Sequence, residues 1–196
     1  MTDLAGHSDE QLMGLLGGDQ DAALAELVRR YQNDVFRFCA HYLRNTEVAL
    51  DKTQETFLRI YTARERFDQD RKFKPWMLCI ARNLCLNEIK RKKTVQMETL
   101  ESYASASRDD SGELRHFAVD SPVESLMADE RRKALMEAMD SLGGDSREII
   151  MMRYFEQMSA RDIAEVVDST EGAVRTRLHR ALNQLREVCE ARKETF

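Results

Sequence analysis

Between Thr94 and Asp120 the hydrophobic periodicity that runs through the rest of the chain stops, and the run SYASASRDDSGE stands in its place. The stretch is small, polar and acidic, with too little apolar surface to offset the entropy of ordering it. It divides the chain into two foldable parts, residues 1–94 and 121–196, joined by a flexible acidic linker over 95–120. With 42 % hydrophobic residues in 196, each part has material for a small core. Eight glycines and two prolines are too few for a turn-rich β fold, so the expected class is all-α, two small helical domains.

Within the first part, Ser8 and Gln11 have the form of a capping box, opening a short helix that Gly17-Gly18 would end. Leu24, Leu27, Val28, Tyr31, Val35 and Phe38 recur at helical spacing and predict a second helix to about Arg44. Asn45 or Thr46 is placed to cap a third, with Leu50, Phe57 and Tyr61 on its apolar side, to about Arg66. After the polar loop FDQDRKFKP, Pro75 marks the start of a fourth helix, whose apolar stripe is Trp76, Ile80 and Leu84. That spacing assigns Trp76 to the core ahead of a surface stacking role. In the second part, Ser121-Pro122-Val123-Glu124 combines an N-cap, a proline at the first helical position and an acid at the third. Helices are expected at about 122–141, 146–157, 160–167 and 171–190.

The last two form a helix-turn-helix pattern. Ile163, Ala164, Val167, Val174 and Leu178 supply its buried contacts, Asp168-Ser169-Thr170 its turn, and Thr170 a cap for the second helix. Gly172, near the start of that helix, permits close approach of a phosphate to the positive end of the helix dipole. Once Val174, Leu178, Ala181 and Leu185 face inward, Arg175, Thr176, His179 and Arg180 share the outer side. Arginine forks and a threonine on one exposed face suit base edges and phosphates in a major groove. Over residues 171–186, Arg175, Arg177, Arg180 and Arg186 stand against Glu171 alone, which sets this face apart from an ordinary solvated helix.

Charge elsewhere is just as unevenly placed. The net charge is −5, and residues 1–28 carry six acids and no Lys or Arg. Residues 71–93 carry eight bases against Glu88 alone, whereas 98–130 carry nine acids against Arg108 and Arg115. Two basic stripes separated by an acidic belt fit a polyanion met at two places. Cys39, Cys79, Cys85 and Cys189 form no C-x-x-C pair and are read as reduced, mostly buried thiols. No nucleophile–base motif, phosphate-binding glycine loop or metal constellation occurs, and the four histidines are scattered. The expectation is therefore a non-enzyme with no cofactor, no metal and no small-molecule substrate. No apolar run approaches the roughly 18 residues of a membrane span, and MTDLAGHSDEQ has no leader character, so a cytoplasmic protein without membrane insertion is expected.

Three fragments occur in order across the linker: Gln54-Glu55-Thr56-Phe57, Trp76 with Ile80-Ala81-Arg82-Asn83, and Val174-Arg175-Thr176-Arg177-Leu178-His179-Arg180-Ala181. Together they resemble bacterial sigma factors of the extracytoplasmic-function group, over nearly the entire chain. The resemblance implies an initiation factor that brings core RNA polymerase to promoter DNA, its first domain reading and opening the minus-10 element and its second reading the minus-35 element. It implies polymerase contacts at Asp51, Gln54 and Glu55, with Phe57 beneath them. It implies minus-10 contacts from the loop Asp68, Gln69, Asp70, Arg71 and Lys72, which would accept a flipped base, and from Arg82, Asn83, Asn87 and Lys90. Arg153, Arg161, Gly172, Arg175, Thr176, His179 and Arg180 are the implied minus-35 residues. An anti-sigma factor clamped on both domains is the further partner implied. Three positions depart from the family pattern: Leu50 and Lys52 flank Asp51 where an acid and an apolar residue are usual, Asp168 replaces a common turn glycine, and Cys79 stands where a base is frequent. The alternative is a homodimeric helix-turn-helix regulator acting without polymerase, which leaves the QETF helix and the basic 71–93 stripe without a purpose.

Overall fold

The computed structural model describes residues 4–16, 20–102, 138–139 and 141–193. Among these residues every regular element is helical, and the chain divides into two compact units, Met1–Leu114 and Arg115–Phe196. The expected helix start at Ser121 and most of the expected linker lie outside the described residues.

The first unit opens with α1 (Asp9–Leu15), and both halves of the capping box are made. Gln11 N–H donates to Ser8 Oγ at 3.2 Å, and Ser8 N–H donates to Gln11 Oε1 at 2.8 Å. Helix α2 (Gln20–Leu43) gives Leu27, Val35 and Phe38 to the core. It ends because Arg44 turns left-handed at φ 50°, and Asn45 then caps α3 (Thr46–Thr62) by accepting the Val48 N–H at 2.9 Å. Two residues thus reverse the chain.

The core face of α3 differs from the expected stripe. Ala49, Thr53, Thr56, Phe57 and Ile60 are buried, while Leu50 is 50 % exposed. The two threonines satisfy their hydroxyls within the helix, donating to the Ala49 and Lys52 carbonyls at 2.7 Å each, so they pack as small residues without unpaired polar groups. Helix α4 (Phe73–Ser102) extends beyond position 94. Its buried residues are Phe73, Met77, Leu78, Ala81, Leu84, Cys85 and Glu88. Trp76 and Ile80 are half-buried at the margin of that stripe. Trp76 packs 5.0 Å from Phe67 and 6.2 Å from Phe73, centroid to centroid, and Tyr31 stands 5.5 Å from Phe73, so aromatic rings hold both ends of the 68–72 loop.

In the second unit, α5 (Gly144–Ile150) continues into a π-helical turn, Met151–Phe155, that buries Met151 and Met152. Ser159 caps α6 (Ala160–Val166) with a capping box to Asp162, and α7 (Glu171–Lys193) follows. Met139, Leu142, Ile150, Met151 and Ala181 form one core cluster, with Leu178 and Leu185 packed on its edge. Full burial of side chains such as Ile163 and Met152 stabilises a core by about 1.5–3 kcal/mol each.

Candidate nucleic-acid interface

The turn between α6 and α7 is made as its residues dictate. Asp168 adopts φ 51°, a left-handed conformation that its short polar side chain tolerates better than most. The Ser169 N–H then reaches back to the Ala164 carbonyl at 2.9 Å, and Thr170 Oγ1 accepts the Ala173 N–H at 3.2 Å to cap α7. Ile163, Ala164, Val166 and Val174 are buried in the crossing. Val166 was not among the expected contacts; it follows Ile163 by one turn, which is the signal that finds it.

With that face buried, Gly172, Arg175, Thr176, His179 and Arg180 are all exposed. A Cβ at Gly172 would meet nothing within 4 Å, so no packing inside the chain requires a glycine there. Thr176 Oγ1 is turned back to the Gly172 carbonyl at 2.9 Å, and His179 Nδ1 lies 3.4 Å from the Asn183 amide. Arg175 pairs with Glu171 one turn before it, so one base of this face is held locally by an acid. Arg161 is exposed in the first turn of α6. Arg153 is exposed too, but one of its guanidinium nitrogens donates to the Met158 carbonyl at 2.8 Å, bracing the connection into α6.

On the first unit, Asp68, Gln69, Asp70, Arg71 and Lys72 are all exposed. The Asp68 carboxylate accepts the Asp70 N–H at 3.0 Å and its carbonyl accepts the Arg71 N–H at 3.0 Å, closing a turn. Along α4, Asn83, Asn87 and Lys90 form one exposed stripe at helical spacing, with Arg82 half-buried beside it. Asn83 leans on Cys79, its amide 3.7 Å from the sulfur, at a position where a base would have added a charge.

A third surface lies on α3. Asp51 and Gln54 are exposed, Glu55 is half-buried, and Phe57 is 7 % exposed, on the buried side of the helix. Lys52 donates to Glu55 at 2.8 Å and lies 3.1 Å from Asp51, while Arg59 reaches Glu55 at 2.8 Å. Hydrogen bonds from Lys52 and then Arg59 hold the Glu55 carboxyl below its ordinary range. The face is thus less acidic than Asp51 and Glu55 alone suggest. Leu50 and Leu58, exposed by 50 % and 66 %, stand one turn to either side of Gln54 and give it an apolar border that an inward reading of Leu50 had missed.

Among the described residues, no cluster of His, Cys, Asp and Glu is arranged to hold a metal ion, and no helix is long and apolar enough to cross a membrane. The thiols of Cys39, Cys79, Cys85 and Cys189 are free.

Sequence comparisons point to one family, and the fold agrees with solved structures. Sigma-70 region 2 matches residues 27–95, and Sigma-70 region 4 matches residues 132–185. The chain is 30 % identical to the ECF RNA polymerase sigma factor SigW of Bacillus subtilis, covering 86 % of this chain and 89 % of that one. It is 32 % identical to the RNA polymerase sigma factor CarQ of Myxococcus xanthus, covering 87 % and 91 %. Its fold is similar to that of CnrH, solved in complex with the cytosolic domain of CnrY, at TM-score 0.66 and 20 % identity, covering 94 % of this chain and 99 % of that one. It is also similar to the sigma factor RpoE of Bartonella quintana, solved with the anti-sigma factor NepR, at TM-score 0.63 and 18 % identity, covering 85 % and 96 %. A helix-turn-helix with an exposed basic face, a separate helical unit with an amide-rich stripe, and relatives matched along most of their length converge: the chain belongs to the ECF RNA polymerase sigma factors.

Proposed function

We propose that this sigma factor divides promoter recognition between its two units, 1–94 and 121–196, joined through 95–120, the first residues of which, to Ser102, continue α4. The observation that carries this reading is the fixed α6–α7 turn at Asp168, which buries Val174 and Ala181 and leaves Arg175, Thr176, His179 and Arg180 outward. That helix enters the major groove of the minus-35 element, with Arg161 and Arg153 near phosphates and Gly172 at the close approach. Arg153 also braces its own loop. In the first unit, Asn83, Asn87, Arg82 and Lys90 track the single strand exposed as the minus-10 element opens, and the loop Asp68–Lys72 accepts an unstacked base.

The α3 face with Asp51, Gln54 and Glu55 docks on core RNA polymerase. Leu50 and Leu58 add apolar area at its border, a mixture that suits a protein partner. The protein acts in the cytoplasm as an initiation factor without catalysis of its own. An anti-sigma factor is its counter-partner, as NepR is the partner of the RpoE of Bartonella quintana.

Footprinting of the holoenzyme on a genomic fragment that supports run-off transcription tests the division. Arg175→Ala is expected to lose upstream protection. Asn83→Ala with Asn87→Ala is expected to keep that protection and lose the reactivity of unpaired thymines downstream. Identical footprints from both variants contradict it.

A further inference from the structure

Helix α1 is tied to the 68–72 loop from below. The Glu10 carboxylate accepts the main-chain N–H of Phe73, the first residue of α4, at 3.0 Å across 63 residues of sequence. Phe73 is the first residue of α4, so its N–H has no acceptor within the helix, and a carboxylate from another helix satisfies it. Burial raises the Glu10 carboxyl, but hydrogen bonds led by the one from Phe73 outweigh this and leave it below its ordinary range.

One turn further along the same face of α1 is Gly14. A Cβ there would lie 2.9 Å from Gln69 Nε2, so the Gln69 amide rests on the space that the missing side chain leaves. Glu10 and Gly14 therefore hold the two ends of the loop, Phe73 and Gln69. Helix α1 itself is fastened elsewhere: Asp9 accepts from Arg30 at 2.9 Å and from the Tyr31 hydroxyl. Arg30 also donates to the carbonyls of Leu4, Ala5 and His7 at 3.2, 3.0 and 2.9 Å. The anchor and the loop support use different residues, which makes them separable.

We infer that Glu10 and Gly14 are positioning residues for base recognition, α1 serving as the floor that sets the conformation of the Asp68–Lys72 loop. This rests on the reading of that loop as the acceptor of an unstacked minus-10 base. Gly14 lies within α1 with no left-handed φ, so alanine there raises helix propensity while its Cβ displaces only the flexible end of Gln69. A structural role and a positioning role consequently predict opposite signs for Gly14→Ala. A purely structural role predicts an equal or better protein.

The probe is a pool of single-stranded DNA with randomised positions, bound by the full chain in complex with core RNA polymerase and sequenced. Wild type is expected to enrich one base at a defined position, Gln69→Ala to lose about tenfold of that preference, and Gly14→Ala to lose a similar amount at the same position. The double variant is expected to be no worse than either single one, as coupled residues require. Trp76 fluorescence melts of Gly14→Ala are expected at or above the wild-type midpoint. Glu10→Gln, which keeps an acceptor for Phe73, is expected within about twofold of wild type and Glu10→Ala about tenfold below it. If Gln69→Ala leaves every preference unchanged, the reading of the loop falls and this inference with it. If Gln69→Ala shifts the preference and Gly14→Ala does not, the reading stands and the inference alone is overturned. A Gly14→Ala protein that melts lower and loses all positions equally overturns it as well.

Discussion

Arg175 is held by Glu171, one turn earlier on α7, in an ion pair whose side chains are 71 % and 42 % exposed. Such a pair is worth about 0.5 kcal/mol or less, weak enough for a phosphate or base edge to compete with it. Glu171→Gln is therefore expected to leave α7 in place and raise affinity for upstream-element duplex a few-fold at low salt, by freeing Arg175 and removing a like charge facing phosphate. Arg175→Ala and Arg180→Ala are each expected to cost about 1–3 kcal/mol on that duplex. Fluorescence anisotropy across a salt series measures all three. A loss of affinity in Glu171→Gln contradicts this orientation of Arg175.

On the α3 face proposed to meet polymerase, the residues differ in what they hold. Glu55 is bonded to both Lys52 and Arg59, so its reversal would set like charges together and weaken α3 itself. Asp51 also lies 3.1 Å from Lys52, but its side chain is 68 % exposed and water screens that pair, and Gln54 is exposed beside it. Asp51→Lys with Gln54→Ala is expected to abolish co-purification with core polymerase while the Trp76 melting midpoint stays within a few degrees of wild type. Retained co-purification places the interface elsewhere.

Acid should loosen the first unit through Glu26. Hydrogen bonds from Arg29 and Arg30 hold its carboxyl down to about 2. Its folded value lies below its unfolded one, so its contribution is complete above about 4.5 and is lost as pH falls toward 2. Arg30 also fastens residues 4–9, so the segment beneath the loop loosens in the same window. Trp76-monitored melts between neutral pH and acid are expected to show a steeper decline for wild type than for Glu26→Gln. Parallel curves contradict the assignment.

Much of this architecture is legible in the residues, and the failures have physical causes. Ser8–Gln11, Asn45 and Thr170 each do what a local capping pattern predicts, because caps depend on neighbours within four residues. Asp168 falls in the expected turn, and takes a left-handed conformation there. Leu50 was not readable: its apolar character suggests burial, and only the packing of α3 on α2 and α4 reveals that Thr53 and Thr56, bonded back to their own helix, take the inner face. The Glu10–Phe73 bond spans 63 residues and leaves no local pattern. The exposed stripes on α4 and α7 were visible as charge and amide spacing, but the Glu171–Arg175 pairing needed side-chain geometry.

Thiol reactivity orders the cysteines. Cys189 is exposed and Cys79 half-buried, whereas Cys39 and Cys85 are buried and hydrogen-bonded to each other. That bond and burial push the Cys85 thiol far above the ordinary range. Alkylation followed by mass spectrometry is expected to label Cys189 first, Cys79 next, and Cys39 and Cys85 only after denaturation. Early labelling of Cys85 contradicts the packing of α2 against α4.

The most direct test of the central claim mixes the purified chain with core RNA polymerase and assays run-off transcription on genomic fragments. The account predicts a one-to-one complex on gel filtration and discrete transcripts that core alone does not make, lost with Asp51→Lys and Gln54→Ala. A chain that elutes as a free dimer, binds duplex DNA by itself and adds no transcripts to core polymerase would contradict it.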